Sequence, residues 1–121
     1  MEIAGVVLVI TGIVIVWGAE ATASGRLGIN GLIGLRFGAL LMSDRAWHLG
    51  HRAARVPLDL AGAFLILTGI LVFVLDLPED AVGILVIFGA IAALAMIILG
   101  SVLGSREANR VLGEDDESLP S

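Results

Sequence analysis

Three apolar runs decide what this chain can fold into: residues 3–19, 56–75 and 81–103, with a single acid, Asp59, among them. A helix needs about 20 apolar residues, at 1.5 Å rise each, to cross the hydrocarbon core of a bilayer. The second and third runs reach that length, and the first comes close. With 58% hydrophobic and 16% charged residues, and a mean hydropathy of +1.02, the whole chain agrees. Soluble domains carry roughly 45–50% apolar and about 25% charged residues. A chain of 121 residues is also too small to hide such an excess in its own interior. The excess faces lipid, so the bilayer is the first expected partner. The fold expected is all-α: an integral membrane protein with three transmembrane helices.

The first run has the length of a signal-peptide core. A signal peptide, however, starts with a positive region, whereas here Glu2 follows Met1 and the arginines come later. A retained anchor is expected. Arginine placement then sets orientation. The link 20–55 holds Arg26, Arg36, Arg45, Arg52 and Arg55, and Arg106 and Arg110 follow the third run. The short link 76–80 holds three acids and no base. All seven arginines fall on one side if the N-terminus is outside and the C-terminus is cytoplasmic. The expected organisation is one membrane domain over 1–112, followed by a disordered acidic tail over 113–121.

Pro78 breaks the chain between the second and third spans, since helices usually end at or before the residue preceding proline. An antiparallel hairpin follows. Gly100 and Gly104 form a GxxxG, and Gly89 and Ala93 repeat its spacing. Small residues at this spacing let helix backbones approach closely in lipid. These four are the expected packing positions. The same face is where a second copy of the chain, or a larger complex, would pack.

The loop 20–55 is the part that lipid does not explain. Its first half carries five glycines, Gly25, Gly28, Gly31, Gly34 and Gly38, and is expected to be irregular. Asn30 suits a backbone turn there. Ser43 and Asp44 read as a helix start, a capping hydroxyl followed by an acid at the positive end of the dipole. A short amphipathic helix to Arg55 follows. It places Trp47, His51 and Arg55 on one face and Arg45, Leu49 and Arg52 on another. Such a helix is expected to lie in the membrane interface with Trp47 fixing its depth. Pro57 then opens the second span, which puts Asp59 in a first turn near the interface, within reach of Arg55 or Arg52. An ionisable residue in a span is also a functional candidate.

Several chemistries are excluded. The chain has no cysteine, hence no disulfide, thiol nucleophile or zinc–thiolate site. His48 and His51 are three apart but lack the further ligands a zinc site needs. No serine sits in a nucleophile–base setting and no phosphate-loop glycine–lysine pair occurs, so neither enzyme activity nor a cofactor or metal is expected. The formal charge of −5, with four acids in the run 114–117, argues against a nucleic-acid partner.

Asn30, Gly34, Arg36, Ser43, Trp47, His51 and Arg52 read as N-x3-G-x-R-x6-S-x3-W-x3-H-R, directly before a span. This pattern resembles the signature region of the SdpI family of bacterial membrane proteins, named for an immunity protein against a secreted killing peptide. The resemblance implies a non-enzymatic protein of the bacterial plasma membrane, acting in immunity to, or signalling from, a membrane-active peptide. A peptide toxin or a regulatory protein would be its partner, met by the cytoplasmic loop. Arg36, whose fork of donors matches a phosphate or carboxylate, is the expected contact residue. Two alternatives stand beside this reading. One is a small accessory subunit of a larger membrane complex, packing through Gly100 and Gly104. The other is an ion-coupled transporter resting on Asp59.

Overall fold

A computed structural model of the chain describes residues 2–36 and 38–118. It contains three long helices among these residues: α1 (Glu2–Ala23), α2 (Asp44–Val74) and α3 (Glu79–Ser118). One 3-10 turn, Gly38–Leu41, interrupts the loop between α1 and α2. Each long helix contains a stretch apolar enough to cross a membrane. Their outward faces carry large aliphatic and aromatic side chains: Ile13, Leu67, Phe88 and Ile91 are all more than half exposed. In water such surface would be untenable; in lipid it costs nothing.

Glycines draw the helices together. A Cβ on Gly12 would stand 2.5 Å from the Gly62 carbonyl oxygen, and one on Gly69 would stand 2.7 Å from that of Gly5. The seven-residue spacing on both α1 and α2 therefore meshes two antiparallel backbones. On the other side of α2, a Cβ on Gly50 would be 2.9 Å from the Gly104 carbonyl oxygen, and one on Gly100 would be 3.3 Å from Leu58. Gly89 meets Thr68, and Ala93 is buried in a cluster with Ala61 and Leu65. The face carrying Gly89, Ala93, Gly100 and Gly104 is thus covered by α2 of the same chain.

Helix α2 is the shared centre, because no Cα of α1 comes within 8 Å of one of α3 among the described residues. An apolar cleft of about 210 Å³ remains between them, floored by Leu58 and roofed by Leu32–Leu35 of the loop.

Two expectations about helix boundaries are corrected. Residues 44–55 do not form a separate interfacial helix; they are the first three turns of α2, which runs unbroken through Pro57. Proline removes one backbone donor and usually breaks a soluble helix. Here Ala54, Pro57 and Leu58 are buried in the bundle, so packing on both flanks holds the segment helical. Asp59 accordingly lies about four turns inside α2, not in a first turn.

The second correction concerns residues 113–118, which continue α3 where disorder was expected. Ala108 and Val111 are fully buried, and Arg45 reaches Asp115 at 2.6 Å and Glu114 at 3.4 Å. Arg110 pairs with Glu107 and Glu114 on the same helix. Residues 119–121 of the expected tail lie outside the described residues.

Candidate functional site

At the arginine-bearing end, the start of α2 and the end of α3 stand side by side and the loop folds over them. The result is a headpiece. Its backbone problem differs from that of a span: residues 24–43 are mostly irregular, and their N–H and C=O groups need partners that no helix supplies.

Asn30 provides four of them. Its Oδ1 accepts from the backbone N–H groups of Leu32 (2.9 Å) and Ile33 (2.7 Å). Its Nδ2 donates to the carbonyls of Gly28 and Ile33, each at 2.9 Å. That saturates the side-chain amide and closes a tight turn. Arg36 then donates through Nη1 to the Asn30 carbonyl, which lays the arginine back over the turn.

The turn is pinned to α2 by two rings. Trp47 is 1% exposed and its indole N–H donates to the Leu27 carbonyl at 3.0 Å. His51 is fully buried, and its Nε2 accepts from the Leu35 backbone N–H at 2.8 Å. Because Nε2 accepts, Nδ1 carries the proton and donates to the Trp47 carbonyl 2.7 Å away. Both nitrogens are used, and the two rings lie against each other with centroids 4.2 Å apart. Gly34 crosses directly over them with φ +107°, and a Cβ there would meet Trp47 at 2.8 Å and His51 at 2.9 Å. Only glycine fits that crossing, on conformation and on space.

Below the rings, Leu35 and Leu40 seal the headpiece against Ala19, Ala46, Ala54, Leu58 and Ala108. Ser43 caps α2 by accepting from the Ala46 N–H at 3.0 Å. Trp47 is therefore not an interfacial anchor: the face it shares with His51 and Arg55 turns toward the protein's own loop and α1. The amphipathic pattern was real, but what it faced was not the membrane.

Asp59 does not pair with Arg55 as expected. Arg55 instead grips Glu20 of α1 with two nitrogens, both at 2.8 Å, and Asp59 faces the same Glu20 carboxylate. One carboxyl oxygen of Asp59 is buried without a hydrogen-bond partner. Glu20 escaped the sequence reading because it sits one residue past the first apolar run. An acid there, opposite an i, i+4 Arg55–Asp59 pair, was the available signal.

The seven signature residues thus divide. Asn30, Gly34, Ser43, Trp47 and His51 build the headpiece, whereas Arg36 and Arg52 are exposed on it. Leu32, at the tip of the Asn30 turn, is 83% exposed. Gly89, Ala93, Gly100 and Gly104 lie away from this site, on the α2–α3 seam.

Three membrane-crossing helices capped on one side by a folded, polar-pinned loop define the class: an α-helical integral membrane protein with a headpiece. The family model of the SdpI/YfhL protein family matches residues 26–101, more than half of the 121-residue chain, and the chain belongs to that family. The match begins in the loop and ends in α3, so it contains the whole headpiece turn and the α2–α3 hairpin. No curated protein and no solved structure matches the chain.

Proposed function

We propose that this chain is a non-enzymatic recognition protein of the bacterial plasma membrane, which senses or gives immunity to a membrane-active peptide through its headpiece. The N-terminus and the acidic turn 76–80 face outward, and the headpiece and the C-terminus face the cytoplasm, because every arginine lies at the headpiece end. The observation that carries the reading is the division of the signature. Five of its residues are spent on building the headpiece and pinning its turn to α2, and what that turn displays is Arg36 and Leu32. A protein that needed only to cross the bilayer would have no use for a loop held by the Asn30, Trp47 and His51 hydrogen bonds. Preorganisation of this kind is what a binding surface requires, since it removes the entropy cost of ordering the loop on contact.

The displayed pair suits an amphiphilic partner. The Arg36 guanidinium offers a planar fork to a carboxylate or phosphate. The apolar cleft between α1 and α3 opens beneath the same loop segment. A photo-reactive amino acid at position 32, in native membranes exposed to candidate peptides, tests the reading. One dominant peptide or protein adduct that disappears in Arg36→Ala is the expected result. Adducts to lipid alone, unchanged by Arg36→Ala, would overturn it.

A further inference from the structure

We infer that α3 carries a phospholipid-binding track that fixes one lipid by its phosphate and the upper part of a chain. The track is a shallow trough of about 560 Å³ lined by Ile98, Ser101, Val102, Ser105, Arg106 and Asn109. These positions recur at the three- and four-residue steps of a single helix face, turned away from α2. Along it the chemistry is graded. Ile98 and Val102 are 55% and 42% exposed in the lower half with Ser101 between them, Ser105 follows, and a guanidinium and an amide stand at the top. That is the order of groups along a phospholipid: chain, ester, phosphate.

Three of the four polar members of the track have nothing to bind among the described residues. Arg45, Arg55 and Arg110 are engaged in ion pairs, and Ser101 donates to the Ile97 carbonyl. Ser105, Arg106 and Asn109 have neither hydrogen-bond nor ion-pair partners among the described residues. Three unpartnered polar side chains within two helical turns, directly above exposed aliphatic ones, present donors in the direction a lipid headgroup approaches.

Depth agrees. Gly100 packs at the level of Ala54 and Leu58, beside the Glu20–Arg55–Asp59 cluster that ends the apolar part of α1 and α2. From Ile98 to Arg106 the helix rises about 12 Å, which crosses from the edge of the hydrocarbon into a headgroup layer about 5–7 Å thick. Arginine stems snorkel across the remainder. Free phosphate shares the headgroup chemistry but gives Ile98 and Val102 no partner, so the occupant is a phospholipid.

Native mass spectrometry of the full chain in detergent, titrated with phosphatidylglycerol, reads this directly. Arg106→Gln should weaken retention of the first lipid about tenfold or more, as expected for loss of a charge-assisted contact. Arg26→Gln removes the same charge from an exposed loop position and should change retention less than about twofold. Equal weakening by both variants would mean diffuse attraction, and no weakening by Arg106→Gln would mean no site. Either result overturns the inference, as would competition by glycerol phosphate at the concentrations at which the lipid binds. Circular dichroism of each variant confirms the helical fold.

Discussion

The headpiece and the spans answer the same demand in different ways. Every backbone N–H and C=O out of contact with water needs a partner. In the spans each helix supplies its own, and the side chains are free to be generic: what matters is that Gly5, Gly12, Gly62 and Gly69 be small. In the headpiece the backbone is irregular, so particular side chains must supply the partners, and Asn30, Trp47 and His51 cannot be exchanged for others of like polarity. The lesson is where a signature comes from. The recognisable pattern of this family, as it stands in this chain, falls on the region where side chains stand in for secondary structure.

The contrast can be broken experimentally. Gly34→Ala should have the largest effect, about 3–5 kcal/mol of destabilisation, because strain at positive φ adds to a clash with two buried rings. Denaturant unfolding in micelles, followed by Trp47 fluorescence in a Trp17→Phe background, measures it. Gly12→Ala should cost less, about 1–3 kcal/mol, by forcing α1 off the Gly62 backbone. Its distinguishing mark is local: loss of α1–α2 cysteine crosslinking, in a chain that has no native cysteine, with Trp47 emission unchanged. If Gly12→Ala shifts Trp47 emission as much as Gly34→Ala does, the two regions are one cooperative unit and the contrast fails. Asn30→Ala should cost about 1–2 kcal/mol, since water can replace part of what an exposed turn loses. Its trace would be faster hydrogen exchange at Leu32 and Ile33. Arg45→Ala is the smallest, at about 0–1 kcal/mol for a half-exposed ion pair, and should show as faster exchange over residues 113–118 alone.

The same division governs what the sequence could reveal. Local signals were legible: the apolar runs marked three helices, and Ser43 with Asp44 marked the start of α2. Nonlocal partners were not. Nothing near Trp47 in the sequence announces Leu27, twenty residues earlier, as the acceptor that draws the indole inside. Pro57 carries the local chemistry of a helix start, and burial against two neighbouring elements overrides it. Residues 113–118 look like a solvated acidic run until Arg45, seventy residues before Asp115, is placed beside them. The signature itself was visible as a spacing, but its division into five builders and two exposed arginines depends on the crossing of Gly34 over α2.

A three-helix chain in which no Cα of α1 comes within 8 Å of one of α3, among the described residues, has its helix–helix contacts arranged in the order of synthesis. As in a stacked repeat, each helix packs on the next helix in the chain, and only the loop with its 3-10 turn reaches on to α3. Helix α1 can wait in the bilayer as an independent span, and α2 docks on it through the Gly5–Gly69 and Gly12–Gly62 contacts. The hairpin with α3 then closes without displacing anything already in place. Assembly is a line rather than a knot. A stalled or truncated product that stops before α3 would still hold the α1–α2 pair and the Asn30 turn, lacking only the α3 surfaces that close over Leu35 and Leu40.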